Sequence, residues 1–265
     1  MKNLHNSSIN VLSTLNELYD QNGDKIDDQN KVPEIAQNDY ENLYNSDPSE
    51  ISASAQTELL NKLDTKISHD TKNTLKSELS LSELKSALNK MAHGRTPGVD
   101  GFPAEFIKKF STKLLPILLK VAKYSFEVVT MSPSQQKAII ILVHKNGEKA
   151  DITNWRPISL LCADYKIIAK ALANRLQIAL NQIIHSDQTF GIFGMSIMNS
   201  IWLVRDLIDY SNEVREPGIL VSLDFEKAFD RVNHDFLFRT LDKFGFGPNF
   251  PNWIKTINSN SKSYI

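Results

Sequence analysis

With 265 residues, 41% hydrophobic and 23% charged, the chain has an ordinary globular composition and can bury a sizeable core in one large domain or two smaller ones. A single cysteine, Cys162, excludes an intramolecular disulfide and a cysteine-based zinc site and fits a reducing intracellular setting, while no apolar run has the length of a signal peptide or a membrane span. The net charge of −1 excludes a uniformly basic nucleic-acid binder, although the charge is unevenly spread. Residues 1–89 hold 8 Lys+Arg against 15 Asp+Glu, residues 90–183 hold 14 against 6, and residues 184–265 hold 8 against 10. A basic middle can present a phosphate-binding face or simply put lysines on solvated helix faces, and charge alone leaves both readings open.

The first stretch is polar, with turn signals at Asn22-Gly23 and Asp47-Pro48. Short apolar segments about Asn22-Gly23 predict a hairpin, though the Leu/Tyr pattern before the turn also permits a helix. Residues 45–78, rich in Ser, Thr and Asp, predict a loosely packed connection containing one helix. At Ser80-x-x-Glu83 a capping box opens a helix carrying Leu81, Leu84, Leu88 and Met91, predicted to end at Gly94. G-R-T-P-G-V-D-G (94–101) reads as a loop, and residues 103–110 and 112–129 as helices. The run A-I-I-I-L-V (138–143) predicts a buried strand. Ile168, Leu172, Leu176, Ala179 and Ile183 mark one face of a helix over 164–183, with Lys166, Lys170 and Asn174 facing elsewhere. Ile197, Ile201, Val204 and Ile208 mark another helix, which Pro217-Gly218 breaks. I-L-V-S-L-D-F (219–225) then predicts a strand, followed by helices over 235–244 and 249–257. The fold class expected is α+β with helices in the majority.

Chemistry is expected at the end of the 219–225 strand. Alternation puts Leu220, Ser222 and Asp224 on one face, and an ionised Asp at the end of an apolar strand is costly without a cation or several donors. Capping of a helix beginning near Glu226 is the commoner local explanation, and metal binding is the other.

The longer string S-L-D-F-E-K-A-F-D-R-V-N (222–233) resembles the first catalytic motif of reverse transcriptases, most of all those of non-LTR (LINE-type) retrotransposons. N-W-R-P-I-S-L-L-C-A-D-Y-K-I-I-A-K-A-L-A-N-R-L (154–176) resembles the family's fingers segment, and G-R-T-P-G-V-D-G-F-P-A-E-F (94–106) its upstream loop and helix. I-I-H-S-D-Q-T (183–189) and L-V-R-D-L-I-D-Y (203–210) resemble the approach to the next motif and the helix after it. The resemblance covers about residues 80–258 in the family's order, and residues 1–79 more weakly resemble the connector upstream of the polymerase.

That resemblance implies a right-hand polymerase fold, with a connector at 1–79, fingers at 80–216 and the start of a palm at 217–265. It implies an RNA-directed DNA polymerase that takes an RNA template, a DNA primer and dNTPs and uses two Mg²⁺ ions, at an intracellular, nuclear or cytoplasmic location. Asp224 would be the first catalytic carboxylate and a metal ligand, with the backbone carbonyl of Phe225 as a further ligand. Phe229, by itself readable as a core aromatic, matches the steric gate beneath the nucleotide sugar. Arg156, in a loop stiffened by Trp155 and Pro157, matches a position near the incoming triphosphate or template, and Gln188 precedes a glycine-bearing turn that positions nucleotide or template. Lys145 and Arg95 are candidates for backbone contact, each alone readable as a surface charge.

Two departures stand out. The turn D-Q-T-F-G-I-F-G-M (187–195) exchanges the family's Gly and Phe and has Phe193 where the family has proline, which displaces Gly191, the residue that takes positive φ without strain. The family also continues with a glycine-containing motif, an (F/Y)-A-D-D hairpin and a thumb, none of which occurs before Ile265. The expectation is therefore a fold incomplete at the C-terminus, inactive alone, whose 219–225 strand leaves an unpaired edge. The alternative is a non-catalytic RNA/DNA-binding module in which Arg156, Lys166 and Lys170 of the basic 90–183 region grip the backbone.

Overall fold

The computed structural model describes residues 15–45 and 53–264, so the turn signal at Asp47-Pro48 lies outside the described residues. The chain divides into two units: Met1–Glu50, Glu78–Ala171 and Asn252–Ile265 form the first, and Ile51–Ser77 with Leu172–Pro251 form the second.

The first unit is built on a three-stranded sheet of order β4-β3-β5, with β3 at Lys137–His144, β4 at Trp155–Leu161 and β5 at Lys262–Tyr264. β3 and β4 are antiparallel over seven rungs, from Ala138↔Leu161 to His144↔Trp155, while β5 runs parallel to β3. The predicted strand at 138–143 is present but is not buried on both faces. Ala138, Ile140 and Leu142 are buried, whereas Ile139 and Val143 are exposed, because only one face of the sheet is covered.

That cover comes from the N-terminal segment. The hairpin predicted at Asn22-Gly23 forms from β1 (Leu18–Tyr19) and β2 (Lys25–Ile26), with Gly23 at φ 85°. Helix α1 (Lys31–Asn45) follows, and Leu18, Val32, Ala36 and Tyr40 make one apolar cluster with Ile140, Leu142 and Trp155. The Trp155 ring is fixed from both sides, its Nε1 donating to the Lys149 carbonyl at 2.8 Å and the His144 ring meeting it edge-on at 5.2 Å.

Helices α4 (Leu81–Asn89), α5 (Ala104–Lys109) and α6 (Ser111–Val128) complete the described part of the first unit that bears on the site. The capping box is present as expected, with Ser80 Oγ accepting from Glu83 N and Glu83 Oε2 accepting from Ser80 N. α4 ends at Asn89 rather than Gly94, since Lys90 closes it with its N–H on the Ser86 carbonyl. Leu84, Ala87 and Leu88 of α4 and Leu115, Leu118 and Ala122 of α6 are buried, and the two helices pack together.

In the second unit, the described residues 53–77, which fall in the stretch expected to be a loose connection with one helix, hold two helices. These are α2 (Ala53–Asn61) and α3 (His69–Lys76), with Thr71 and Leu75 buried. The long helix α7 (Ala163–Ile183) passes from the first unit into the second at Leu172, and its second half holds α3 at both ends. Gln182 Oε1 accepts from the N-cap Ser68 N at 2.8 Å, and Arg175 Nη1 donates to the Ser77 carbonyl at 2.6 Å and to that of Leu75 at 3.5 Å. Residues 175 and 182 are two helical turns apart, roughly 10 Å, which matches the length of α3.

Helices α8 (Ile197–Val214), α9 (His234–Lys243) and α10 (Asn249–Asn258) appear where the sequence predicts them. The strand predicted at 219–225 does not. Those residues take no regular structure, and Ile219, Leu220, Val221, Leu223 and Phe225 are all exposed. Among the described residues no strand lies beside them, and a lone strand has no ladder to satisfy its N–H and C=O groups. The apolar face of α8 is likewise uncovered: Ile197, Ile201, Leu207 and Ile208 are exposed and no residue of the helix is buried. No helix among the described residues is long and apolar enough to cross a membrane.

Candidate nucleic-acid and catalytic site

In the first unit the predicted basic residues stand on defined elements. Arg156 is not in a loop but is the second residue of β4, opposite Val143 of β3. The register accounts for this: seven rungs of pairing satisfy backbone that a stiff loop would leave open, and Ile158 and Leu160 supply the alternating apolar positions. Alternation puts Arg156 on the solvent face with Ile139, Val143 and Ile158. Lys145 extends the ladder by one bond, its N donating to the Asn154 carbonyl at 2.9 Å, so it shares that face diagonally from Arg156. Arg95 is exposed in the 94–101 loop, and Lys166 and Lys170 lie one turn apart on the first half of α7, half-buried and exposed respectively.

The loop that carries Arg95 is seated on the junction between β4 and α7. Gly98 is buried so closely there that a Cβ on it would stand 2.4 Å from Cys162 N and 2.5 Å from the Leu161 carbonyl carbon. Glu105 ties the start of the loop, its Oε1 accepting from Gly94 N at 2.6 Å, and backbone N–H donors hold its carboxyl below the usual range. Sequence reasoning named both segments, 94–106 and 154–176, but gave no sign that they pack on each other.

This seating brings Asp100, Cys162 and Asp164 together, with one potential ligand atom of each within 4.8 Å of the others. The trio is a poor place for a hard divalent cation. Burial pushes both the Cys162 thiol and the Asp164 carboxyl up, which favours their neutral forms. The Asp164 oxygens are also engaged, accepting from Gln135 Nε2 at 2.8 Å and from Tyr165 N at 2.7 Å.

Asp164 yields a pH prediction. Its folded-state pKa lies above the ordinary 3.8, so the stability from its neutral form is fully present below that value and is lost as pH rises through the folded pKa. Relative to Asp164→Asn, which cannot titrate, the native chain should therefore lose stability on going from pH 4 to pH 7. Urea melts of both proteins at the two pH values measure this double difference, in which any constant cost of the amide cancels. An equal change in both would remove Asp164 as the titrating group.

In the second unit Gln188 lines a cavity of about 320 Å³ with Leu180, Ile184, His185, Phe193 and Met195. Gln177 pins the turn beyond it, donating from Nε2 to the Gly191 carbonyl at 2.8 Å and accepting from Phe193 N at 3.2 Å. Gly191 takes φ 76° there, so this turn retains a positive-φ glycine despite its displaced position. Neither Gln177 nor the bond pair it makes was singled out from sequence.

Asp224, Phe225 and Phe229 are exposed on the irregular segment and on the turn that follows it. Lys227 takes a left-handed φ of 47° in that turn, and Glu226 pairs with Arg231 at 2.9 Å. Helix α9 begins at His234 with Asn233, not Asp224, as its N-cap, accepting from Phe236 N at 2.8 Å. The local capping explanation for Asp224 is thus excluded. The ring of Phe229 meets that of Phe190, centroids 6.4 Å apart, which joins the Gln188 turn to the segment that carries Asp224.

Among the described residues Asp224 belongs to no group of three or more carboxylate, His or Cys ligand atoms. One exposed carboxylate and a neighbouring carbonyl do not offset the mutual repulsion of two divalent ions in competition with water. As placed, these residues do not fit a two-ion centre.

Residues 143–264 match the family described as reverse transcriptase (RNA-dependent DNA polymerase). The chain is 36% identical over 248 residues, 94% of its length and 19% of the relative's, to a Xenopus laevis protein named Transposon TX1 uncharacterized 149 kDa protein. It is 31% identical over 124 residues, 47% of the chain and 17% of the relative, to the Retrovirus-related Pol polyprotein from type-1 retrotransposable element R2 of Popillia japonica. Over 163 residues, 60% of the chain and 18% of the relative, it is 26% identical to the RNA-directed DNA polymerase from mobile element jockey of Drosophila melanogaster. The chain thus spans roughly a fifth of the length of the curated relatives it matches.

Proposed function

Because the chain belongs to the reverse transcriptase family of LINE-type retrotransposons, we propose that it serves RNA-directed DNA synthesis. In this reading it supplies the fingers and the first catalytic carboxylate of a right-hand polymerase. The observation that carries the reading is S-L-D-F-E-K-A-F-D (222–230), which lies within the matched residues and in the motif order 94–106, 154–176, 183–189, 222–233. The connector at 1–79, fingers at 80–216 and palm start at 217–265 are part of the same proposal.

Each residue has a role that suits its chemistry. Asp224 and the Phe225 carbonyl would contribute to a divalent-metal site that they do not complete by themselves, and Phe229 would close off space beneath the nucleotide sugar. Arg156 and Lys145, two cations on one sheet face, would meet phosphate of the template or the incoming nucleotide. Lys166, Lys170 and Arg95 would add backbone contacts, and Gln188 would position nucleotide or template. RNA template, DNA primer and dNTPs are the proposed partners. The family generally uses a divalent metal, and Mg²⁺ is the ion proposed here.

Because Asp224 belongs to no group of three or more ligand residues among the described residues, the expectation is that the 265 residues alone do not polymerise. Primer extension on an RNA template, with purified chain, Mg²⁺ and dNTPs, should give no product above background. Extension that disappears in Asp224→Ala would overturn that expectation.

A further inference from the structure

We propose that Phe102, Phe106 and Phe110 form an outward-facing stacking platform for the bases of a single-stranded polynucleotide, with Lys109 and Lys113 holding its phosphates. The proposal deepens the nucleic-acid reading above and rests on it.

The three rings are a ladder. Phe102 lies 4.8 Å from Phe106 and Phe106 lies 5.0 Å from Phe110, centroid to centroid, with interplanar angles of 29° and 55°. They are not core residues, since 49%, 39% and 45% of their surfaces are exposed. The buried side of α5 is taken by Ala104 and Ile107, so the helix presents its aromatic side outward by design of its sequence rather than for want of apolar partners.

Lysines are interleaved with the rings at helical spacing. Lys109 follows Phe106 by three positions within α5, which puts the two on one side of that helix, and Lys113 lies in the first turn of α6, three positions after Phe110, the residue at which the two helices meet. Both lysines are exposed. The neighbouring Lys108 is differently occupied, its Nζ donating to the Met91 carbonyl at 2.8 Å. The acidic residue of α5, Glu105, is drawn to Gly94 N at 2.6 Å. Farther along, Lys120 and Tyr124 of α6 continue the pattern, seven and eleven residues beyond Lys113 and both exposed.

An apolar face with cations at regular steps suits a ligand that alternates flat rings with negative charges. Lysine is depleted from the cores of protein–protein interfaces, which argues against a protein occupant. The platform lies in the basic stretch of the sequence, residues 90–183, which holds 14 Lys+Arg against 6 Asp+Glu. Duplexes hide the faces of their bases, so the rings are accessible to a single strand.

The test is fluorescence anisotropy with labelled oligo(U), oligo(dT) and a hairpin RNA duplex, on the native chain and on the triple variant Phe102→Leu, Phe106→Leu, Phe110→Leu. Leucine keeps an apolar side chain and removes the π-face. The triple variant should lose about tenfold or more in affinity for the single strands and little for the duplex. Loss on both single strands marks stacking common to RNA and DNA, and loss on one alone identifies the strand recognised. Lys109→Gln with Lys113→Gln should weaken the salt dependence of single-strand binding.

Equal binding by native chain and triple variant overturns the platform, as does equal loss on duplex and single strands or a change confined to the oligomeric state. Photo-crosslinking of iodouridine-substituted oligo(U) to the native chain is independent of any folding defect in the variant. Crosslinks should map to 102–110, and crosslinks only elsewhere overturn the platform while leaving nucleic-acid binding intact. A native chain that binds none of the probes at low salt defeats the underlying reading itself.

Discussion

Replacing Arg175 by methionine should destabilise the second unit by about 3 kcal/mol. Arg175 is buried, with an exposure of 3%, and its Nη1 donates to the Ser77 carbonyl at 2.6 Å and the Leu75 carbonyl at 3.5 Å. Both carbonyls belong to the C-terminal end of α3, where backbone acceptors have no partner within the helix and the helix dipole favours a cation. Methionine keeps the apolar stem but leaves those acceptors facing a thioether. The charge and its donors are lost together, so the effect should exceed that of any exposed ion pair in the chain, such as Lys62–Glu58 at 3.1 Å. In urea the midpoint should fall by about 1 M or more with little change in slope. A fall of a few tenths molar would mean that α3 finds other partners for its carbonyls. Arg175→Lys should recover part of the loss, because an ammonium can still donate to the carbonyls that Nη1 reaches but sits on a stem of different length and shape.

Arg175 also shows what the sequence offers and how it is overlooked. It lies three residues after Leu172 and four before Ala179, squarely on the apolar stripe that defines α7. A cation on such a stripe signals either an error in the assigned face or a buried partner, and here it is a buried partner. The stripe itself was legible because helical periodicity is local. What α7 packs against was not, since α3 lies about a hundred residues earlier and carries no pattern pointing to it.

The same division holds elsewhere. The capping box at Ser80, the Asn22-Gly23 hairpin and helices α4 to α10 follow from short-range rules of spacing and capping. β4 escaped because the second and third residues of W-R-P-I-S-L-L are Arg and Pro, which read as loop residues until the seven-rung partner β3 is known. The 219–225 segment fails in the opposite direction. Its largely apolar run after the Pro217-Gly218 turn reads locally as a strand, yet strands are made by neighbours, and among the described residues it has none. Asp224 was therefore identified by motif and not by setting, and it is the motif that carries the catalytic proposal.

Family resemblance named the two segments 94–106 and 154–176, and the structure supplies the physical reason that they belong together, which is Gly98. Its buried backbone lies against the peptide between Leu161 and Cys162, where a Cβ would come within 2.4 Å of one atom and 2.5 Å of another. Those are backbone atoms at the end of β4 and the start of α7, so no rotamer change relieves the clash. Gly98→Ala should cost about 2–3 kcal/mol in overpacking, against at most about 1 kcal/mol returned through the less flexible unfolded chain. Gly101 provides the contrast. It has φ 72° with nothing within 4 Å of its would-be Cβ, so Gly101→Ala carries only the left-handed strain of about 1 kcal/mol. Urea melts should therefore rank Gly98→Ala well below Gly101→Ala, and limited proteolysis should cut the 94–101 loop faster in the former. The reverse ranking would show that the loop is held by its dihedral angles and not by its seat on β4 and α7. Loosening that seat should also weaken single-strand binding, since the loop leads directly into Phe102 and the aromatic ladder.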